Sequence, residues 1–138
     1  MAFRWVGNRH GTTPQVHAFY MTDSETAVAG RLYKFSTQRM TKEGNGGTTP
    51  DALCIEDVNA GTDVEADFIL LDSADILQAN YVGTADATFL KGMQTADLDT
   101  SADNLLASDV TTGCMFLLSV DTTNLVARCI PRKNTFIT

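Results

Sequence analysis

The chain has 138 residues, a length that fits one domain and is short for two. A hydrophobic share of 43% is ordinary for a globular protein and too high for a disordered one. The apolar runs, such as Phe68–Leu71, are far shorter than the roughly 18 residues of a membrane helix, so no membrane partner is expected. The first residues lack the apolar core of a signal peptide, so we expect the protein to be made and used without Sec-type export.

Charge is unevenly distributed along the chain, whose net charge is −7. Residues 1–42 carry +4, residues 43–127 carry −14, and residues 128–138 carry +3. One interpretation is a solvated acidic surface that keeps the protein soluble. The other is a molecule with an acidic pole that faces water and a basic pole that meets a partner. The basic residues are few and are not interleaved with stacking aromatics, so no nucleic-acid partner is expected.

Residues 1–20 are predicted to form an extended N-terminal arm, ahead of a single domain over residues 21–138. The arm is rich in turn-forming residues, namely Gly7, Gly11 and Pro14. We expect it to be mobile in the free protein and ordered on a partner, because ordering a glycine-rich segment costs entropy that a contact must offset. Five residues are candidate contacts: Phe3, Trp5 and Val6 as apolar anchors, and Arg4 and Arg9 against acidic groups. The alternative is that Trp5 folds back into the core of its own domain.

Seven segments have the alternation or the short apolar runs typical of strands, bounded by Gly, Asp or Asn turns. In chain order they are 16–20, 27–35, 52–58, 64–71, 76–82, 113–120 and 125–130. The last two predict a hairpin across the polar connection Asp121–Asn124. Residues 43–50 predict a loop, and Thr100 or Ser101 could cap one short helix over residues 102–107. Six to eight short strands and one helix indicate a mostly β fold, a compact barrel or sandwich.

Three cysteines, Cys54, Cys114 and Cys129, form an odd set with no close spacing. Each lies in an apolar segment, so we interpret them as buried, reduced thiols that act as small hydrophobic side chains. A disulfide framework or a zinc site is the lesser alternative. His10 and His17, which lie in or near the arm, are interpreted as surface or partner-contact residues.

The acidic residues offer one candidate metal site. Asp63, Glu65 and Asp67 alternate, so a strand would place them on one face, where three carboxylates could bind calcium. A solvated edge is the favoured interpretation, and the same holds for Asp97 and Asp99, which are predicted to lie in a loop. The Gly-rich stretch at 44–49 lacks the Lys-Ser/Thr of a phosphate loop, and no Gly-x-Ser-x-Gly elbow occurs. We therefore predict no catalytic, cofactor-binding or metal site, and a protein that is not an enzyme.

Four segments carry a family resemblance within residues 27–131. They are AGRLY at 29–33, TPDALCI at 49–55, NAGTDVEA at 59–66 and DILQA at 75–79. In pattern and turn order the chain resembles the small head-decoration, or capsid cement, proteins of tailed bacteriophages, the group that includes the lambda head decoration protein. The arm departs from the family pattern, because it holds aromatic residues and arginines where a Ser/Thr/Pro-rich arm is typical.

The resemblance implies a β-barrel-like fold (a β-tulip) and homotrimers at capsid three-fold positions. It also implies an arm that touches the major capsid protein. The chain would then be made in the host cytoplasm and located on the outer surface of the virion, where it would stabilise the shell. Two other classes stay open: a different virion component, such as a tail, neck or fibre-base protein, and a small trimeric β-fold hydrolase.

Overall fold

A computed structural model of the protein describes residues 2–43, 49–111 and 113–132. These residues form short strands and one helix, α1 (Ala87–Lys91). The strands are β1 (Arg4–Asn8), β2 (Gln15–Tyr20), β3 (Leu32–Ser36), β4 (Arg39–Lys42), β5 (Ala52–Cys54), β6 (Glu65–Leu70), β7 (Asp75–Val82), β8 (Thr95–Leu98), β9 (Leu105–Leu106), β10 (Met115–Asp121) and β11 (Val126–Pro131). The prediction of a mostly β fold with one short helix is confirmed.

Five of the strands close into a barrel. The order β7-β11-β10-β8-β9 returns to β7 through a short parallel pairing, in which Tyr81 and Val82 face Leu105 and Leu106. The other pairings in the ring are antiparallel. Closure removes the free edges that an open sheet would leave, so the barrel-like expectation is confirmed.

A second sheet, in the order β2-β6-β5-β3-β4, is built from residues 15–70. Its last strand turns back toward its first, because a parallel bridge joins Met40 in β4 to Met21, just after β2. Alternate residues of this sheet serve two cores. Tyr33, Cys54 and Phe68 pack inside the curled sheet, whereas Leu32, Leu53 and Ile69 pack in the core of the barrel. The continuous apolar run near Phe68 therefore reflects a strand that is buried on both faces.

Most of the predicted strands are present. The hairpin is confirmed as β10 and β11, which pair from Met115–Pro131 to Asp121–Val126 with a bulge between Leu117 and Ser119. The predicted number of strands was too low, because β1, β4, β8 and β9 are short and have weak alternation. Of the predicted loop at 43–50, residues 44–48 lie outside the described residues.

The predicted position of the helix was wrong. Residues 102–107 contain a turn and then β9, because the Asp99 carboxylate accepts hydrogen bonds from the backbone N–H groups of Asp103 and Asn104 and holds a non-helical turn. The helix lies at Ala87–Lys91 instead. Asp86 caps it by accepting from the Thr88 N–H, and Gly92 ends it with a φ of 69°.

The predicted free arm was also wrong. Residues 4–8 and 15–20 are strands of the two sheets, and Phe3 is buried in the barrel core. The backbone N–H of Phe3 donates to Gly30 O at 2.8 Å, and Trp5 packs against the same core. The alternative in which Trp5 folds back onto its own domain is the one observed. β1 is short and pairs with β7, which begins at residue 75, so residues 4–8 have no local periodicity that would predict a strand.

Candidate docking surface

The N-terminal segment supplies an edge strand to each sheet. β1 pairs with β7 on one side of the barrel sheet, and β2 pairs with β6 on one side of the second sheet. Both strands are therefore positioned at the surface, even though neither is detached from the domain. Exposed backbone edges are the part of a β protein that most readily meets another chain.

β1 is held by a buried carboxylate. Asp75, 5% exposed, accepts hydrogen bonds from Trp5 Nε1 and Asn8 Nδ2 at 2.9 Å through one oxygen. Its other oxygen accepts from the Asp72 N–H at 2.9 Å. This network fixes both ends of β1 on the first residue of β7. It also explains why Trp5 is half-buried in this domain, with its indole N–H already satisfied.

Two arginines lie on the outer wall of the barrel beside β1. Arg4 faces Gln78 across the β1–β7 pair, and Arg128 faces the same Gln78 from β11. Two strand spacings separate the arginines, about 10 Å. Both side chains are exposed, and neither forms an ion pair within the described residues; Arg128 Nε donates to Gln78 Oε1 at 3.3 Å. We call Arg4, Gln78, Arg128 and the adjacent Ser119 the arginine row.

Two shallow depressions flank the arginine row. One, of about 360 Å³, is lined by Ser119, Arg128 and the β10–β11 turn, where the Asp121 carboxylate accepts hydrogen bonds from the turn itself; the other, of about 180 Å³, is lined by Arg4 and Asn80. They share Gln78 and Val126. A guanidinium presents a planar fork of donors that matches a carboxylate, so this wall is suited to acidic side chains of a partner.

The five predicted contact residues do not share one surface role. Phe3 is buried, and Trp5 and Val6 are half-buried, so the apolar anchors are committed to their own domain. Arg4 and Arg9 are exposed, and Arg9 Nη2 donates to Ser73 O at 2.6 Å. The sequence prediction missed Gln78 and Arg128. The alternating pattern of residues 76–82 could have indicated that Gln78 lies on the outer face of a strand. Nothing in the sequence indicates that Arg128 lies near Arg4.

The buried thiols follow the sequence expectation. Cys54, Cys114 and Cys129 are all buried and unbonded to one another. Burial raises the pKa of each thiol, and at Cys114 the nearby Asp97 carboxylate raises it further. Asp97 itself is 4% exposed in β8, so its predicted place in a loop was wrong. These thiols act as packing groups, not as accessible nucleophiles.

The alternating acids do not converge. Asp63 is exposed and pairs with Arg39 Nη2 at 2.5 Å, Glu65 is exposed, and Asp67 is half-buried. Across residues 2–43, 49–111 and 113–132, no group of three or more His, Cys, Asp or Glu side chains is placed to hold a metal ion. In the same part of the chain, no helix has the length and apolar character needed to cross a membrane.

Comparison with known proteins adds no identification. No family model matches the chain, and no curated protein sequence matches it significantly.

Proposed function

We propose that this chain is a structural virion protein that binds the outside of a bacteriophage capsid and stabilises the shell. The partner is the major capsid protein, and the resemblance of residues 27–131 to head-decoration proteins motivates the proposal. The observation that carries it in the structure is the arginine row, an exposed cationic surface on an otherwise acidic protein. Such a surface orients an acidic molecule toward a partner of complementary charge.

The arginine row suits binding to a rigid neighbour. Arg4 and Arg128 project from adjacent parts of a hydrogen-bonded barrel wall, so their separation is set by the sheet and not by a loop. Neither guanidinium is neutralised by a carboxylate of its own chain within the described residues. Two cations carried on strands of set spacing can therefore engage acidic side chains of the shell without first breaking an internal ion pair.

Three copies at each binding site form the second element of the proposal. The basis is the resemblance to trimeric decoration proteins, in which identical copies close around a three-fold axis. Counting the copies bound per capsid separates this arrangement from that of a tail, neck or fibre-base protein.

The proposal is tested with expanded heads assembled without this protein. Arg128→Glu and Lys91→Glu change the net charge equally, but Lys91 lies on α1 and not in the arginine row. We expect Arg128→Glu to weaken co-sedimentation with the heads about tenfold and Lys91→Glu to leave it within about twofold. Wild-type binding should weaken as salt rises. Equal binding by the two variants, with both folded by circular dichroism, would refute a capsid contact through this wall.

A further inference from the structure

We propose that two copies of the chain pair through the open edges of their β2 strands, antiparallel, about a two-fold axis that passes beside His17. The inference concerns self-association and does not rest on capsid binding. Five of the six residues of β2 are exposed, including Val16 at 51% and His17, and Phe19 alone is half-buried against the core of the second sheet. A strand that is hydrogen-bonded on one side and exposed over most of its length is a ready template for a further strand.

The direction of the backbone groups follows from the register. The N–H of Met21 donates to Val64 O at 2.8 Å, one step beyond the Tyr20–Glu65 pair. In an antiparallel ladder hydrogen-bonded and non-hydrogen-bonded pairs alternate, and no bulge interrupts the pairing of β2 with β6. Gln15, His17 and Phe19 therefore bond to β6. Val16 and Ala18 point their N–H and C=O groups toward the open edge.

This edge is complementary to itself in one register. When Val16 of one copy faces Ala18 of the second, and Ala18 faces Val16, each pair exchanges two hydrogen bonds, and the four open backbone groups of Val16 and Ala18 are satisfied in each strand. A shift of one pairing step toward the N-terminus would face Ala18 with Pro14, which has no N–H. A shift the other way would use Tyr20, where the bridge from Met21 to Met40 brings β4 against the strand.

The charge of the strand favours a second copy as the occupant. Gln15–Tyr20 contains no Asp, Glu, Lys or Arg, although the chain carries −7 overall. Two acidic molecules can therefore approach along this strand without placing like charges opposite each other. The other edges are protected: β1 carries Arg4 and a bulge, and the Glu25 carboxylate accepts from the Lys42 N–H beside β4. Over residues 15–19, β2 carries neither a charge nor a bulge, and β4 reaches the strand only near Tyr20, where Arg39 lies over the tyrosine ring.

Pairing would also complete an apolar row. Val16 lies opposite Ile69, which lies opposite Leu53, which in turn lies opposite Leu32. The last three are buried, and the row stops at the half-exposed Val16. A second β2 places the Ala18 side chain next to that valine. The contact joins copies in pairs, so if trimers form through other surfaces, it links one trimer to the next.

A cysteine cross-link tests the register. His17 faces His17 of the second copy in a non-hydrogen-bonded pair, where Cα atoms lie about 4.5 Å apart, within reach of a disulfide. Under mild oxidation we expect His17→Cys to give a covalent dimer on a non-reducing gel, and Lys91→Cys, an exposed position on α1 outside the arginine row, to give none. The native thiols are buried and do not compete. Cross-linking of His17→Cys no faster than of Lys91→Cys would overturn the proposal.

Sedimentation of the uncross-linked protein provides a second, independent test. Val16→Lys places a cation on the edge, and Leu125→Lys is its control, since the two side chains are 51% and 52% exposed. At protein concentrations where the wild type associates, we expect Val16→Lys to have about half the average mass of the wild type and Leu125→Lys to have the same mass as the wild type. Ala18→Pro, which removes an outward N–H and keeps the bonds to β6, should act like Val16→Lys. If folded Val16→Lys keeps the mass of the wild type, the pairing is refuted. If its mass is unchanged and its binding to heads is lost, the β2 edge binds the shell protein and not a second copy.

Discussion

Phe3→Ala is expected to destabilise the protein severely, although residue 3 lies almost at the start of the chain. The Phe3 side chain is 3% exposed in the barrel core, and its backbone is tied to Gly30. Truncating a buried phenylalanine costs about 3–5 kcal/mol, from lost apolar contact and from the cavity that remains. Against a total unfolding free energy of about 5–15 kcal/mol for a domain, this is a large share, and it corresponds to a melting temperature lower by about 10 °C or more.

Chemical denaturation of Phe3→Ala and Phe35→Ala side by side measures this effect. Both variants remove the same atoms, but Phe35 is 43% exposed and meets Phe19 edge-to-face at a centroid distance of 5.1 Å. We expect Phe35→Ala to cost about 1 kcal/mol. If the two variants lost equal stability, or Phe3→Ala lost less than about 1 kcal/mol, residue 3 would not belong to the core and the free-arm interpretation would regain its basis.

The remaining predictions concern the buried polar and thiol groups. Asp75→Ala should lower the unfolding free energy by about 2–4 kcal/mol. The reason is that Trp5 Nε1, Asn8 Nδ2 and the Asp72 N–H lose their acceptor. A loss of stability below about 0.5 kcal/mol, measured by urea denaturation, would contradict that network. Cys54, Cys114 and Cys129 should react with a thiol reagent at pH 8 only as fast as the protein unfolds, since burial raises the pKa of each. Rapid labelling of any one in the folded protein would contradict its packing role, and Cys→Ala at each should cost roughly 1 kcal/mol.

The local sequence pattern was sufficient to predict those elements that depend on only a few consecutive residues. The hairpin of β10 and β11 could be predicted because two apolar runs flank a short polar turn in which Asp121 accepts from Thr123 and Asn124. The burial of the three cysteines followed from their apolar surroundings in the chain. The strands β6 and β7 were evident for the same reason, since alternation and apolar runs are properties of a few consecutive residues.

Only the tertiary structure decided where the N-terminal segment lies and what surface it makes. Among the described residues, β1 pairs with β7 alone, about seventy residues away, and no feature of the sequence indicates that Asp75 accepts a hydrogen bond from Trp5. The short strand β9 likewise exists because barrel closure places Leu105 beside Tyr81. Arg4 and Arg128 become neighbours only through Gln78. Composition and periodicity therefore determined the class of fold, whereas the candidate surfaces depend on long-range strand pairing, which leaves no trace in local sequence.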